Sequence, residues 1–367
     1  MRSGLVAYLP LVIVTFSAAL LAVALLVPKV RTFALRIQAV QHGGGAHGEG
    51  VRRHVGSLPN IGGIAILGGF LLAVLAGSIV APALIAEYRV ELLAIALGGA
   101  IMTLVGFLDD MWEVHPALRL ATQAVAAGIL VVNGVRIDFF TDYFGPGTFV
   151  FIPETLSIVV TILWVIGFTN AFNFIDGLDG LSSGIAAIAS MSLLAVALQF
   201  DGRGAAVLLL AGLAGSSLGF LRHNFGPATI IMGDSGAYLL GYVLAAASVL
   251  GALKVTAAVS VVAPILVLAL PVLNITQVTV RRLRRGRNPA LASNDHIHDL
   301  IRERYGSKRL TVLLLWFATL VLGVLGMLLS STPPALTLAT LIVTVVMIAA
   351  VSLARLAEVR RTGGATT

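Results

Sequence analysis

The sequence predicts an all-α integral membrane protein of about eleven transmembrane helices. Three observations carry that expectation: an apolar composition, apolar runs of membrane-spanning length, and a one-sided distribution of Lys and Arg. Of 367 residues, 58% are hydrophobic and 11% charged, against roughly 45–50% and about 25% in soluble domains. A bilayer core about 30 Å thick needs near 20 apolar residues per helix. Runs of that kind are centred at Phe16, Phe70, Met102, Ala126, Leu163, Ser190, Leu213, Leu244, Leu268, Gly323 and Met347. An odd number of crossings puts the termini on opposite sides. With the N-terminus outside, 19 of the 24 Lys and Arg residues fall on the inner side, the bias expected of cytoplasmic loops. The exceptions are Arg2, Arg89, Arg136, Arg203 and Lys254. A miscount by one span scrambles this segregation, so the charges support both the count and a cytoplasmic C-terminus.

The whole chain, 1–367, reads as one polytopic domain. The first run lacks a small-residue cleavage site and continues into a multispan pattern, so it is expected to be a retained helix. The inner loops are expected at 28–60, 109–118, 173–184, 222–233 and 279–309. The first holds a Gly/His tract from His42 to Gly48, with the composition of a flexible linker. The outer connections are short except for 134–155, whose aromatics (Phe139, Phe140, Tyr143, Phe144, Phe149, Phe151) suit a membrane interface. The ninth run carries Pro264 and Pro271, either tolerated membrane prolines or the cause of a kink. No internal repeat is visible, which counts against a secondary transporter. The net charge of +7 reflects topology and anionic headgroups, and without a soluble basic domain it does not point to nucleic acid. There is no cysteine, which removes disulfides and thiolate metal sites.

In this topology Asp109, Asp110, Asp176, Asp179 and Asp234 all lie at inner ends of spans, where a carboxylate is costly unless it meets water, a metal or a partner. All seven histidines also fall inside. The adjacent Asp109 and Asp110 repel, so they mark either a solvated helix end or a place for a hard cation such as Mg2+. In Asn170-Ala-Phe-Asn173-Phe-Ile-Asp176-Gly-Leu-Asp179-Gly180, four oxygen-bearing side chains recur every three residues before the glycines release the chain into a turn. An EF-hand is excluded, since Leu181 to Met191 supply no downstream acidic ligand. Asp234, in Met232-Gly233-Asp234-Ser235-Gly236, stands where a helix begins, either as a plain N-cap or among glycines that let a diphosphate approach the helix N-terminus. His296 and His298, in Asp295-His-Ile-His-Asp299, are expected to donate to phosphate or sugar oxygens. The arginines of 281–287, with Arg282 the candidate, are topology determinants, headgroup binders or a substrate clamp. A transporter with a carboxylate cation pathway needs acidic residues near the bilayer midplane, and none falls there.

These motifs resemble the polyprenyl-phosphate N-acetylhexosamine-1-phosphate transferases of the glycosyltransferase 4 type. The nearer likeness is to the WecA/TagO-like branch that starts bacterial O-antigen and teichoic-acid assembly, with phospho-MurNAc-pentapeptide transferases as relatives. The likeness rests on Leu58-Pro59-Asn60-Ile61-Gly62-Gly63, the Asp109-Asp110 pair, Asn170 to Gly184, Met232-Gly233-Asp234 and His296-Ile297-His298. It implies a bacterial plasma-membrane enzyme with a cytoplasmic active site, Mg2+ or Mn2+ in its place, and a homodimer. The substrates it implies are a UDP-sugar and a polyprenyl phosphate lying beside a bent ninth helix, with UMP released. It also suggests roles. Mg2+ goes to Asp234 and Asn173, and the polyprenyl phosphate to Asp109 or Asp110. Asp176 and Asp179 orient the nucleotide or complete the metal shell, Asn170 is a further substrate-binding candidate, and the sugar phosphate goes to His296 and His298. The chain departs from the family at Arg119 and Thr229, where lysines are common, at Ser235-Gly236-Ala237, at Asn274 in place of Asp, and at Ser293 and His298-Asp299. The metal and catalytic carboxylates survive these departures, so the expected donor remains UDP-GlcNAc, another UDP-N-acetylhexosamine or UDP-MurNAc-pentapeptide.

Overall fold

The computed structural model describes residues 2–41, 58–141, 149–251, 262–284, 286 and 296–363. Its helices are α1 (Arg2–Arg36), α2 (Gly63–Val80), α3 (Pro82–Ala86), α4 (Arg89–Trp112), α5 (Pro116–Val132), α6 (Glu154–Ile175), α7 (Leu181–Ala197), α8 (Gly204–Asn224), α9 (Gly233–Gly251), α10 (Val262–Val267), α11 (Ala269–Arg284), α12 (Ile297–Tyr305), α13 (Lys308–Leu329) and α14 (Pro334–Gly363). Two small antiparallel pairs complete the described residues: β1 (Val40–Gln41) with β2 (Leu58–Pro59), and β3 (Phe139–Thr141) with β4 (Phe149–Phe151). The described ends of the aromatic connection thus pair with each other, with Phe139 and Phe151 ring centroids 5.6 Å apart.

Among the described residues, eight helices are long and apolar enough to cross a membrane: α1, α2, α4, α6, α8, α9, α13 and α14. The apolar helices α5 and α7, of 17 residues each, correspond to the fourth and sixth expected runs. The ninth falls on two helices, α10 and α11, with Leu268 between them. The break has a local cause. Pro271 has no N–H to give the carbonyl of Val267, and the helix restarts within one turn.

Helix ends differ from the expected loop boundaries because a helix does not stop where its charges begin. α1 runs through Lys29 and Arg31 to Arg36, α11 through Arg281 and Arg282 to Arg284, and α12 and the start of α13 occupy much of the expected loop 279–309. Backbone hydrogen bonds continue into water, and apolar length reports only the stretch that lipid requires. The Gly/His tract with His42, His47 and His54, the 285 and 287–295 part of the basic loop, and Tyr143 and Phe144 lie outside the described residues.

The bundle is apolar both at its centre and on its outer face. Windows of α8 and α9 are 100% and 94% buried, against 28% for α1 and 22% for α14, and α7 is buried almost throughout, so α7, α8 and α9 form the interior. The outer helices turn Leu25, Ile79, Leu163 and Leu353 outward, the arrangement that hydrocarbon favours. The interior helices are rich in Gly, Ala and Ser, which lets backbones approach. Where α4 crosses the start of α9, a Cβ on Gly106 meets the Ser235 nitrogen at 2.4 Å and the Asp234 carbonyl carbon at 2.5 Å. Backbone cannot rotate away as a side chain can. Gly106→Ala is expected to lower stability by about 1–3 kcal/mol, read as a fall in melting temperature in detergent. Gly128→Ala, with nothing within 4 Å of its Cβ, is the neutral comparison, and equal melting of the two variants contradicts the packing argument.

Candidate active site

The last turn of α4, the end of α6 and the start of α9 meet at one end of the bundle. Asp110 reaches from α4 across 124 residues of sequence and accepts from the Asp234 N–H at 2.9 Å and the Ser235 N–H at 3.2 Å. Its own backbone carbonyl accepts from Asn60 Nδ2 at 3.2 Å. The first amides of a helix have no partner within it and carry the positive end of its dipole. Asp110 therefore caps α9 from outside, and these amides, expected to face a diphosphate, serve the protein's own carboxylate. Asp109 turns the other way, to Val114 N–H at 2.8 Å, Arg119 Nη1 at 2.7 Å and the Tyr238 hydroxyl at 3.1 Å. The adjacent carboxylates thus relieve their repulsion by taking separate sets of donors.

Asp234 opens α9, and its Oδ1 accepts from Asn173 Nδ2 at 2.7 Å. Asn173 lies in the last turn of α6, ahead of the 176–180 turn, whose Gly180 has φ +80°. Asp176 accepts from Ser182 Oγ at 2.5 Å, and Ser182 also touches Met232 Sδ at 3.7 Å. Asp179 accepts from the Ala228 N–H at 3.2 Å, while the Gly180 N–H donates to Asn224 Oδ1 at 2.9 Å. The two motif loops therefore dock on each other. Asn170, one turn before Asn173, points into the bundle. Its Nδ2 donates to Gln123 Oε1 at 2.7 Å and to the Ile166 carbonyl at 2.8 Å, which makes it a fastener between α6 and α5.

The histidines arrive from the start of α12. His296 and His298 stack at 5.2 Å with rings 9° apart, and His296 lies 5.5 Å from Phe174. His298, 4% exposed, has its Nε2 where a Cβ on Gly177 would stand. Asn274 of α11 holds this corner. Its Nδ2 donates to the Phe174 carbonyl at 3.1 Å and lies 3.4 Å from His296 Nδ1, and its Oδ1 accepts from the Ile297 N–H at 2.9 Å. A carboxylate cannot make the donation to Phe174, so the Asn suits this chain's own geometry. Two turns on, Arg282 shares the inward face of α11 with Asn274 and Val278 and is 2% exposed, while Arg284 is exposed. That separates Arg282 from arginines that merely face headgroups.

Among the described residues no group of three or more His, Cys, Asp or Glu side chains is gathered to hold a metal. The donor chemistry nonetheless fits a hard divalent ion at Asp234. A carboxylate and an amide already meet there at 2.7 Å, and reorienting the Asn173 amide presents its oxygen. Mg2+ is commonly held by one or two protein carboxylates, with phosphate oxygens and water filling the rest. The sequence missed Asn60, Gln123, Ser182, Asn224 and Tyr238 as partners. Asn60 and Ser182 stood inside the motifs 58–63 and 170–184, whereas Gln123 and Tyr238 sat in apolar runs with no local signal.

The fold and this end of the bundle define a polytopic membrane protein with a carboxylate, amide and histidine site. Comparison with known proteins gives the class. Residues 92–252 match glycosyl transferase family 4. The chain is similar to a probable undecaprenyl-phosphate N-acetylglucosaminyl 1-phosphate transferase of Bacillus subtilis, 31% identical over 87% of this chain and 85% of the relative. It is similar to a decaprenyl-phosphate N-acetylglucosaminephosphotransferase of Mycobacterium leprae, 35% identical over 74% of this chain and 73% of the relative. An undecaprenyl-phosphate alpha-N-acetylglucosaminyl 1-phosphate transferase of Yersinia pestis is 28% identical over 75% and 74%. The chain belongs to glycosyl transferase family 4.

Asp110→Asn keeps the side-chain shape and leaves one oxygen to accept, so one of the two α9 amides loses its partner. It is expected to cost about 1–2 kcal/mol and to speed hydrogen exchange at the Asp234 and Ser235 amides. Unchanged exchange at those amides contradicts the capping role.

Proposed function

We propose that this chain transfers a sugar-1-phosphate, GlcNAc-1-phosphate first among candidates, from a UDP-sugar to a polyprenyl phosphate. UMP leaves, and the product is a polyprenyl-diphospho-sugar. The observation that carries the reading is the convergence of Asp234, Asn173, the 176–180 turn and the His296–His298 stack at one end of an apolar bundle. The relatives' printed names, transferases of N-acetylglucosaminyl 1-phosphate to undecaprenyl or decaprenyl phosphate, agree with it. In this reading eleven segments cross the membrane: the eight long helices, α5, α7, and α10 with α11 as one broken span. The site faces the cytoplasm of a bacterial cell, as the inward Lys and Arg excess supports. An open groove of about 470 Å3 lined by Gln277, Val280, Arg281 and Arg284 gives the lipid phosphate a basic bed on α11.

The chemistry joins two anions, so neutralising charge and aligning the reactants matter more than a strong base. Asp234 and Asn173 are the residues that hold Mg2+, or Mn2+ in its place. The ion, when bound, supplies charge neutralisation at the donor diphosphate. A phosphate monoester has a second pKa near 6, so the acceptor is already largely dianionic. Asp109 and Asp110 then act by position. Asp109 fixes Arg119, whose side chain remains 28% exposed beside the site, and Asp110 fixes the start of α9 that carries Asp234. The 176–180 turn orients the nucleotide, and His296 with His298 meets the sugar phosphate.

The test is UMP release from a panel of UDP-sugars with polyprenyl phosphate. UDP-GlcNAc is expected to be turned over, and Asp234→Ala to lower the rate by about a hundredfold or more. Near-normal turnover of that variant at saturating Mg2+ removes Asp234 from the metal site.

A further inference from the structure

We propose that Arg355, near the end of the last helix, is a positioning residue for Asp179 and acts on it through one peptide group. The inference rests on the transfer reading for what Asp179 contacts, but its geometry stands without it. Arg355 Nη2 donates to the carbonyl of Pro227 at 2.7 Å. The N–H on the other side of that same peptide unit, Ala228 N–H, donates to Asp179 Oδ2 at 3.2 Å. A cation bonded to a carbonyl polarises the whole amide, so its N–H becomes a stronger donor. Arg355 therefore sets both the place and the donor strength of the group that holds Asp179.

Arg355 is itself held. Its Nη1 lies 3.3 Å from Glu358 Oε2, and the same oxygen accepts from Arg222 Nη1 at 2.6 Å. The relay thus runs Glu358, Arg355, peptide, Asp179. Two other arginines grip neighbouring carbonyls of the loop, Arg309 on Gly226 at 3.2 Å and Arg31 on Thr229 at 3.3 Å. Both contacts are exposed and carry less weight. Arg355 is 6% exposed, and this separates it from a charge that only sets topology. Arg360 and Arg361, on the same helix end, are exposed as topology and headgroup binding require. Neither role needs an arginine turned inward onto a loop carbonyl. Its two terminal nitrogens are engaged, Nη1 by Glu358 and Nη2 by the loop that holds Asp179, while its buried Nε meets no acceptor among the described residues.

The experiment compares wild type, Arg355→Met, Arg355→Lys, Asp179→Asn and the double variant Asp179→Asn/Arg355→Met, each as the full chain in detergent or nanodiscs. UMP release is followed against UDP-sugar and, separately, against polyprenyl phosphate, and hydrogen exchange is followed at the Ala228 amide without substrate. Arg355→Met is expected to raise KM for the UDP-sugar by about tenfold, the size of one charge-assisted hydrogen bond, with KM for the lipid nearly unchanged. Arg355→Lys keeps the charge and one acceptor and is expected to lose about threefold. The double variant is expected to match Asp179→Asn alone. Exchange at Ala228 is expected to quicken in Arg355→Met and in Asp179→Asn. If Arg355→Met does not accumulate, Arg355→Lys carries the same comparison at smaller size. Additive penalties, an equal rise in both KM values, or unchanged exchange at Ala228 each overturn the relay. If wild type releases UMP from no UDP-sugar, the transfer reading fails, while exchange at Ala228 still decides whether Arg355 acts on Asp179.

Discussion

The carboxylate of Asp110 on the first amides of α9 is the contact from which this end of the molecule is built. It joins two helices that cross at a glycine, with Gly106 admitting the backbone of Asp234 and Ser235. A tethered carboxyl group at a helix N-terminus satisfies two otherwise unpaired donors. That fixes the start of α9, and hence the direction in which Asp234 leaves it. Asn173 then meets Asp234 from α6, so one capping contact determines the separation of the two groups best suited to a divalent ion.

Around that point, acidic groups in apolar surroundings are each held by specific donors. Asp109 takes Arg119 and Tyr238, Asp176 takes Ser182, and Asp179 takes a backbone amide. A site that must gather phosphates benefits from carboxylates whose directions are settled beforehand, since reorganisation at the moment of reaction is then avoided. The same logic places Asn274 under the histidine pair, where one amide side chain links α6, α11 and the start of α12.

Much of the architecture was legible because lipid imposes a length on apolar runs. The runs centred at Phe16, Phe70, Met102, Leu163, Leu213, Leu244, Gly323 and Met347 became helices long enough to span, and Pro271 stood where the ninth run breaks. Helix ends were less legible, because α1 and α11 carry their hydrogen bonds past the first charges. In the site, the chemistry-bearing residues could be named from spacing, but their partners could not. Asn170 and Asn173 are three apart on one helix, yet one faces Gln123 and the other Asp234. Arg355 counted only as an inward charge, since nothing local shows that it meets Pro227 across 128 residues. Partner choice is a property of tertiary packing, and period and composition do not encode it.

The central claim is that the bond broken lies between the phosphates of the donor, so the sugar travels with its phosphate. The most direct measurement uses purified protein with UDP-GlcNAc labelled at the β-phosphate and a polyprenyl phosphate. The account predicts label in the lipid product with unlabelled UMP released in equal amount. Label leaving as UDP, or no transfer of label to lipid, contradicts it.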